Sequence, residues 1–273
     1  MFKKIFYKNK ILFKLLKIYW TINYLTKIFI NKKNFYILTK SQHNDEEGEF
    51  LESLIPYVTN KNFVEIGFHF RQFNSVRLIN NGLTGKLVDT SKYDYMNLII
   101  SKLIMKLIHK KIEIIDLFVS PKNINKIFDN NSLGFLSLDI DGNDYWVLSE
   151  IINNKIFPEV MIVEYNASLL KNSLSIPYIE NFDLYTHHYS HCYHGASLTA
   201  FNKLLSKNKY HLIKSIAGVN AIFVNDRIFR KYKLIELDPM NINQECLSRN
   251  RKLKNTSKDQ FEMIKNLPFV EIK

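Results

Sequence analysis

The sequence predicts an α/β domain built on a mostly parallel β-sheet with helices on both faces. Along residues 63–225, short apolar runs that end in polar residues alternate with longer segments whose apolar residues recur at helical spacing. Strands that alternate with helices form parallel sheets, and such strands are buried on both faces and read as continuous apolar runs. The 273 residues suit one large domain with additions.

The predicted elements follow one another along the chain. We expect strands at Phe63–Gly67, Gly85–Asp89, Ile112–Val119, Phe135–Ile140, Val160–Glu164, Tyr210–Ile216 and Ala221–Asn225. We expect helices at Gln72–Asn81, Tyr93–Ile108, Tyr145–Ile152 and Ser197–Ser206, and one more that Ser120-Pro121 opens. Between the fifth and sixth strands, residues 165–195 form a polar, aromatic insertion. We therefore divide the chain into an N-terminal arm (1–44), a domain (45–228) and a helical C-terminal tail (229–273).

The N-terminal arm carries nearly all of the net charge. Residues 1–44 contain ten lysines and no Asp or Glu, which leaves about +2 of the net charge of +12 for the rest of the chain. No nucleic-acid partner is therefore expected for the domain. The arm has an apolar helical face, but its longest stretch without a charge, Ile18–Thr26, is too short to span a bilayer.

Two interpretations of the arm stay open. Residues 1–40 could form a helix that docks on the domain or on a second copy in a homodimer, or they could bind a membrane surface. Cys192 and Cys246 lie far apart and form no zinc-binding pattern, which favours a reducing cytoplasm. Membrane binding would then place the protein at the inner face of the membrane.

Each of the first five predicted strands ends in an acidic residue. These acids are Glu65, Asp89, Asp116, the pair Asp139 and Asp141, and Glu164. Ligands of such sheets bind beyond the carboxyl ends of the strands. Gly67 with Asp89 suits a nucleoside, because glycine lets the backbone approach a ligand and the acid accepts ribose hydroxyls. A dinucleotide is disfavoured, because "EIGFHFRQF" has a single glycine.

The segments FVEIG, GKLVD, SLDIDGNDYW, VEYN and GASL together resemble the class I S-adenosylmethionine-dependent methyltransferases. The resemblance is to the FkbM-like and related sugar O-methyltransferase branches of polysaccharide gene sets, and it covers roughly residues 60–225. It implies a Rossmann-like, seven-stranded, mostly parallel sheet whose last strand is antiparallel. It also implies O-methyl transfer from S-adenosylmethionine to a sugar or saccharide precursor, in capsule or other surface polysaccharide biosynthesis.

The same resemblance implies roles for individual residues. The cofactor-binding set would be Glu65, Gly67, His69, Asp89 and Asp116. Within it, Glu65 and Gly67 belong to the methionine-side loop, Asp89 takes the ribose hydroxyls and Asp116 lies near the adenine. His69 departs from the small residue that the family has in the first loop.

Methyl transfer to a hydroxyl needs a group that removes the proton of the acceptor oxygen. A divalent metal such as Mg²⁺ could instead polarise and orient this oxygen, held by Asp139, Glu164 and Asn166 at the ends of two neighbouring strands. Metal-dependent O-methyltransferases of the catechol type place ligands at the ends of the same two strands. In the alternative, Asp141 and Asn143 only cap the next helix.

A general base is the second solution to the same chemical requirement. The stretch "THHYSHCYH" in the insertion contains four histidines, and a loop here would overhang the strand ends. The candidates are Asp141, His187, His191 and His194, because imidazole accepts a proton near neutral pH. His188 belongs to the same cluster, and zinc is disfavoured because no established ligand spacing is present. The interleaved tyrosines suit stacking on a sugar ring.

Two readings from other classes remain. Asp139-Ile140-Asp141 is a D-x-D pattern, which in glycosyltransferases holds a metal on a nucleotide-sugar diphosphate; this leaves Gly67 and Asp89 unexplained. The second alternative is a non-catalytic, membrane-associated scaffold with a methyltransferase-like fold. The unusual first loop and the basic arm motivate it.

Overall fold

A single seven-stranded sheet organises the computed structural model, which describes residues 10–108, 110–129, 132–242 and 245–273. The strands are β1 (Asn62–Ile66), β2 (Thr84–Asp89), β3 (Ile112–Asp116), β4 (Phe135–Leu138), β5 (Val160–Glu164), β7 (Tyr210–Ile216) and β8 (Asn220–Asn225). A small second sheet pairs β6 (Leu174–Ser175) with β9 (Val270–Glu271). The strand order in the large sheet is β3-β2-β1-β4-β5-β8-β7. Strands β1 to β5 pair in parallel, and β8 pairs antiparallel with both β5 and β7.

The helices cover both faces of this sheet. They are α1 (Lys10–Ile30), α2 (Asn34–Leu38), α3 (Gln42–Leu54), α4 (Val76–Asn80), α5 (Ser91–Leu107), α6 (Asp144–Asn153), α7 (Leu184–His187), α8 (Leu198–Ser206), α9 (Asp226–Lys231), α10 (Leu247–Leu253) and α11 (Ser257–Ile264). Every residue of β4 and β5 is buried between the two helical layers, as their continuous apolar sequences require. This is a Rossmann-like, mostly parallel seven-stranded sheet with helices on both faces, so the predicted fold class is confirmed.

The topology also fixes where a ligand can bind. The chain starts at the centre with β1, moves outward through β2 and β3, and returns to β4 on the other side of β1. Connections therefore leave the carboxyl ends of β1 and β4 in opposite directions and open a crevice between them.

Three predicted elements differ from the observed ones. Pro121 opens only a 3-10 turn at Ile124–Lys126, because the Asn123 side chain accepts a hydrogen bond from the Ser120 amide and donates one to the Phe118 carbonyl. The helix predicted from Gln72 begins at Val76, after a loop. The third strand ends at Asp116, and the backbone then turns into the crevice.

Helix α3 is absent from the predicted set, because its sequence reads as a polar break. Its first turn holds three residues with left-handed backbone angles, His43, Asn44 and Asp45. The Arg77 side chain stabilises the helix from outside by donating hydrogen bonds to carboxylates of α3, among them those of Asp45 and Glu52. Tertiary contact here overrides weak local helix propensity.

The N-terminal arm docks on the domain. Tyr24, Ile28 and Phe35 are buried in the hydrophobic core on one face of the sheet. Among the described residues, no helix combines the length and the apolar character that crossing a membrane requires. One face of α1 thus docks on the domain, as the first interpretation of the arm expects, and the other face is exposed.

Candidate functional site

A cavity of about 570 Å³ occupies the crevice beyond the carboxyl ends of β1, β2 and β4. This volume lies within the range of small-molecule and cofactor sites. Polar residues that line it include Gln42, Glu65, His69, Gln72, Asn74, Asp89, Thr90, Asp139, Asp141, Asn143 and Asp183. Apolar residues that line it include Ile66, Phe68, Phe73, Val88, Leu117, Phe118, Val119, Ile140, Phe182 and Leu184. Four of the five predicted cofactor residues, Glu65, Gly67, His69 and Asp89, are brought together here.

Gly67 allows the floor of this cavity to close. Its φ of +81° is a left-handed angle, and a Cβ atom at this position would lie 1.6 Å from the Asp139 carbonyl oxygen. The Gly67 amide donates to the Val88 carbonyl, and the Asp139 amide donates to the Ile66 carbonyl. Only glycine therefore lets the ends of β1 and β4 lie this close together.

Glu65 shapes the loop that follows Gly67. Its carboxylate accepts hydrogen bonds from the Asn74 amide at 2.7 Å, the Ser75 amide at 2.7 Å and the Ser75 hydroxyl at 2.5 Å. Burial raises the pKa of Glu65 to about 7, while these donors act in the opposite direction. All of its acceptor oxygens serve the loop, so Glu65 acts on a ligand by positioning residues 67–75.

Asp89 faces the cavity at the end of β2. It accepts hydrogen bonds from the Thr90 amide at 2.8 Å and from Asn97 Nδ2 at 2.7 Å. Burial raises its pKa to about 6, and the nearby charges of Asp94 and Asp116 act in the same direction. Each carboxylate oxygen retains acceptor capacity, which suits a ligand that presents two hydroxyl donors.

Asn97 links Asp89 to the first loop and was not among the predicted site residues. Besides its bond to Asp89, the Asn97 side-chain NH₂ donates to the Phe68 carbonyl at 2.7 Å, and its oxygen accepts from the Phe70 amide at 2.8 Å. The Asn97 side chain is buried within α5. A polar residue within the apolar run "NLII" was the sequence signal that could have identified it.

Asp116 does not line the cavity. Its side chain is exposed, it accepts a hydrogen bond from the Ser91 amide at 2.8 Å, and that bond lowers its pKa. Residues 117–119, which follow it, line the cavity instead. The structure therefore surrounds this end of the cavity with apolar side chains, and Asp116 serves the start of α5.

Three carboxylates meet where β4 and β5 end. One oxygen from each of Asp139, Asp141 and Glu164 lies within 4.8 Å of the others. Burial raises the pKa of Asp139 to about 8, with further increases from Asp141 and Asp144. Burial also raises the pKa of Glu164 well above its usual range, and the Asp139 charge adds to this. The group therefore holds protons at neutral pH or needs a cation to replace them.

Asp141 is the most accessible carboxylate of the three and opens to the cavity. Its backbone has a φ of +58°, a left-handed angle that few non-glycine residues adopt. The surrounding protein displaces water and raises its pKa, while the Arg249 charge lowers it. A carboxylate with a raised pKa at the mouth of a cavity is a candidate proton acceptor.

Neighbouring residues hold the turn that presents Asp141. Asp144 is buried and accepts hydrogen bonds from the Ile140 and Gly142 amides, each at 2.8 Å. The Asn143 side chain forms no helix cap and instead donates to the Ile179 carbonyl at 2.8 Å. Asn143, which the alternative prediction made a helix cap, therefore ties the insertion to the turn, and Asp144 holds the turn that precedes the helix.

Gln42 reaches the carboxylate cluster from the start of α3. Its Nε2 donates to Asp139 at 2.9 Å, and its oxygen accepts from Asn220 at 3.3 Å. Gln42 also lines the cavity. It lies 97 residues before Asp139 in a polar segment, and no pattern in the sequence indicated this contact.

Asn166 is not presented to the cluster as a ligand. Its oxygen accepts from the Ser168 amide at 3.0 Å and from Arg249 Nη1 at 2.9 Å, and its NH₂ donates to the Cys192 and His194 carbonyls. Both acceptor positions of the amide oxygen are therefore in use. The structure assigns Asn166 to the support of the insertion, whereas the metal prediction placed it among the ligands.

None of the predicted catalytic histidines lines the large cavity. His194 is buried, neither ring nitrogen has a hydrogen-bond partner, and burial followed by the Arg249 charge lowers its pKa well below the usual range. His187 and His188 line a separate cavity of about 340 Å³ beside Tyr193. His191 packs edge-on against Tyr185. Of the predicted catalytic residues, only Asp141 lines the large cavity.

Comparison with known proteins gives likenesses of fold. No protein-family model matches the sequence, and no curated protein matches it significantly. An O-methyltransferase from Bacillus cereus in complex with SAH is 13% identical, with a TM-score of 0.45 over 73% of this chain and 90% of that one. A methyltransferase from Geobacter sulfurreducens is 13% identical, with a TM-score of 0.41 over 75% and 87%. The N-terminal domain of EvdMO1 with SAH bound is 8% identical, with a TM-score of 0.41 over 70% and 82%.

Proposed function

We propose that this protein is an S-adenosylmethionine-dependent O-methyltransferase. The observation that carries the proposal is one cavity that joins the glycine loop after β1, the carboxylate of Asp89 and the accessible carboxylate of Asp141. The first two suit a nucleoside with an amino-acid tail, and the third suits removal of a proton from an acceptor. The fold and the sequence resemblance support the same activity.

The lining of the cavity fits the cofactor. Val88 and residues 117–119 line the cavity with apolar side chains that would face an adenine ring, and Asp89 beside them would take the ribose diol. The loop positioned by Glu65 would then enclose the methionine part. When bound, S-adenosylmethionine supplies an electrophilic methyl group on a sulfonium.

The acceptor side needs a base, and Asp141 is the residue we assign to it. The acceptor hydroxyl would donate a hydrogen bond to the Asp141 carboxylate and pass its proton there as its oxygen bonds to the methyl carbon. The bond from that carbon to sulfur would break, and S-adenosylhomocysteine would leave. The raised pKa of Asp141 brings its basicity closer to neutral pH. Asp139 and Glu164 share protons behind it, which reduces the negative charge that surrounds Asp141.

The donor set at this end also fits a divalent cation. Three carboxylates within 4.8 Å are oxygen ligands of the kind that Mg²⁺ takes. In this alternative to a general base, Asp139, Asp141 and Glu164 would hold the cation, which would polarise the acceptor oxygen. Binding would release the protons that the group holds at neutral pH.

A sugar or saccharide precursor is the acceptor we propose. Tyr185 lines the cavity and is exposed, and Tyr189 of the same insertion is exposed as well. Aromatic faces of this kind stack on sugar rings. A place in capsule or surface polysaccharide biosynthesis, in the cytoplasm, rests on the sequence resemblance to the FkbM-like branch.

Ligand binding tests the proposal directly. We expect S-adenosylhomocysteine to raise the melting temperature, while UDP and GDP, with or without Mg²⁺, leave it unchanged. Transfer of labelled methyl groups from S-adenosylmethionine to a panel of nucleotide sugars and oligosaccharides then identifies the acceptor. Stabilisation by a nucleoside diphosphate alone would replace this proposal with the D-x-D glycosyltransferase reading.

A matched pair of variants tests the ribose assignment. Asp89→Asn keeps the shape of the side chain and removes its charge, and we expect S-adenosylhomocysteine to bind at least tenfold more weakly. Asp116→Asn makes the same change at the end of the next strand, outside the cavity, and should change the affinity less than twofold. Equal affinities for both variants would show that Asp89 does not take the ribose.

A further inference from the structure

We propose that α1 and α5 together form a binding surface for an anionic phospholipid membrane. This surface is separate from the cavity, and the inference stands independently of the proposed enzymatic function. It rests on the exposure of apolar side chains on both helices and on the charge around them.

Helix α1 is apolar on two opposite faces. Tyr24 and Ile28 lie on the inner face and are buried against the domain. Leu15, Ile18, Tyr19, Ile22 and Phe29 recur at helical spacing on the outer face, and each is more than half exposed. Docking on the domain therefore explains only the inner face, and a second apolar face stays open.

Helix α5 packs against α1 and adds to this surface. Its exposed side carries Tyr95, Ile99 and Leu103, spaced four residues apart, with Lys102 and Lys106 beside them. Interior positions of α5, such as Ile100 and Ile104, are buried as in an ordinary amphipathic helix. Packing against the core thus explains the buried apolar residues of α5 but not the exposed ones.

Charge decides which partner fits. The ten lysines of residues 1–44 are accompanied by no acid, and the exposed face of α5 adds further lysines. Two copies of this surface would repel one another, whereas the phosphates of an anionic membrane attract it. The aliphatic part of a lysine side chain can lie along apolar surface while its ammonium group reaches the lipid phosphates, and Tyr and Trp are enriched at the membrane–water interface. Because no described helix can cross a membrane, α1 and α5 would lie on its surface.

Vesicle flotation of the full chain tests the surface. We expect at least tenfold more protein on vesicles of equal phosphatidylglycerol and phosphatidylcholine than on vesicles of phosphatidylcholine alone, and a loss of this binding in 0.5 M salt. Ile18→Glu with Ile22→Glu should lower binding at least fivefold. Ile235→Glu with Leu247→Glu is the control, because both residues are exposed outside α1 and α5 and the change in charge is the same.

Thermal melting confirms that both double variants are folded before their binding is compared. The proposal is overturned if the full chain binds neither type of vesicle, if it binds both equally, or if the control pair lowers binding as much. It is also overturned if light scattering shows a dimer that Ile18→Glu with Ile22→Glu dissolves while vesicle binding is absent. That result would make the surface an interface between two copies.

Discussion

Replacement of Gly67 by alanine measures how much of the site depends on the close contact between β1 and β4. Gly82→Ala is a matched control, because Gly82 has a φ of +83° against +81° for Gly67, and a Cβ at Gly82 meets nothing within 4 Å. The two variants share the cost of a left-handed alanine, about 1–2 kcal/mol. They differ only in what the added methyl group touches.

The additional cost at Gly67 follows from the geometry. The new Cβ would lie 1.6 Å from the Asp139 carbonyl oxygen, whereas real Cβ atoms essentially never come closer than 3.0 Å to another heavy atom. The ends of β1 and β4 would therefore have to separate by about 1.4 Å. Separation weakens the bond from the Asp139 amide to the Ile66 carbonyl, which joins β4 to β1. Each buried bond that is lost costs about 1–3 kcal/mol.

Urea denaturation gives the comparison. We expect Gly67→Ala to lower the free energy of unfolding by roughly 2–5 kcal/mol, a large part of the stability of an ordinary domain, and Gly82→Ala by about 1–2 kcal/mol. Binding of S-adenosylhomocysteine should be lost in the first variant and kept in the second. Equal losses of stability, within about 0.5 kcal/mol, would refute the reasoning from strand contact.

Three further predictions concern buried polar groups of the site. Asn97→Ala leaves the Phe70 amide without its acceptor and Asp89 without one of its two donors, so the free energy of unfolding should fall by about 2–4 kcal/mol. S-adenosylhomocysteine should bind at least tenfold more weakly, and unchanged affinity in calorimetry would remove Asn97 from the site. Glu65→Gln turns one acceptor oxygen into a donor that faces backbone amides, so the free energy of unfolding should fall by about 1–3 kcal/mol in chemical denaturation. An unchanged denaturation midpoint would contradict the role of Glu65 in holding the loop. Because the pKa of Asp139 is raised to about 8, the folded protein binds more protons than the unfolded one from about pH 4 to pH 8. Stability from this group is therefore present at low pH and decreases as the pH rises through that window. Asp139→Asn should flatten the decrease, and Mg²⁺ should restore more stability at pH 8 than at pH 5 if the cluster binds it.

The sheet was predictable because its signal is local. Runs such as "VMIVE" are buried on both faces, and their spacing by helical segments determines the parallel order. The acids at the strand ends were predictable for the same reason, since the end of a parallel strand locates its side chain at one edge of the sheet. Asp89, Asp139 and Asp141 accordingly line one cavity.

The connections between distant parts of the chain were not predictable from such patterns. Gln42 donates to Asp139 across 97 residues, and its segment is polar without a period. The histidine cluster was easy to see in the sequence, but its location was not. Imidazole chemistry suggested a general base, whereas the insertion places His187 and His188 at a separate cavity. Local sequence shows which side chains could react, but the path of an insertion decides which of them share a cavity.

The packing of the inner face of α1 against the domain has a consequence for the cavity. Tyr24 donates a hydrogen bond to the Phe70 carbonyl, and the Arg71 guanidinium lies 5.3 Å from its ring centre, so α1 supports the loop at the edge of the cavity. Proteolytic removal of the arm would expose this loop and the apolar residues beneath it. Cleavage in the arm is therefore expected to weaken the loop at the cavity as well as to remove the proposed lipid-binding surface of α1.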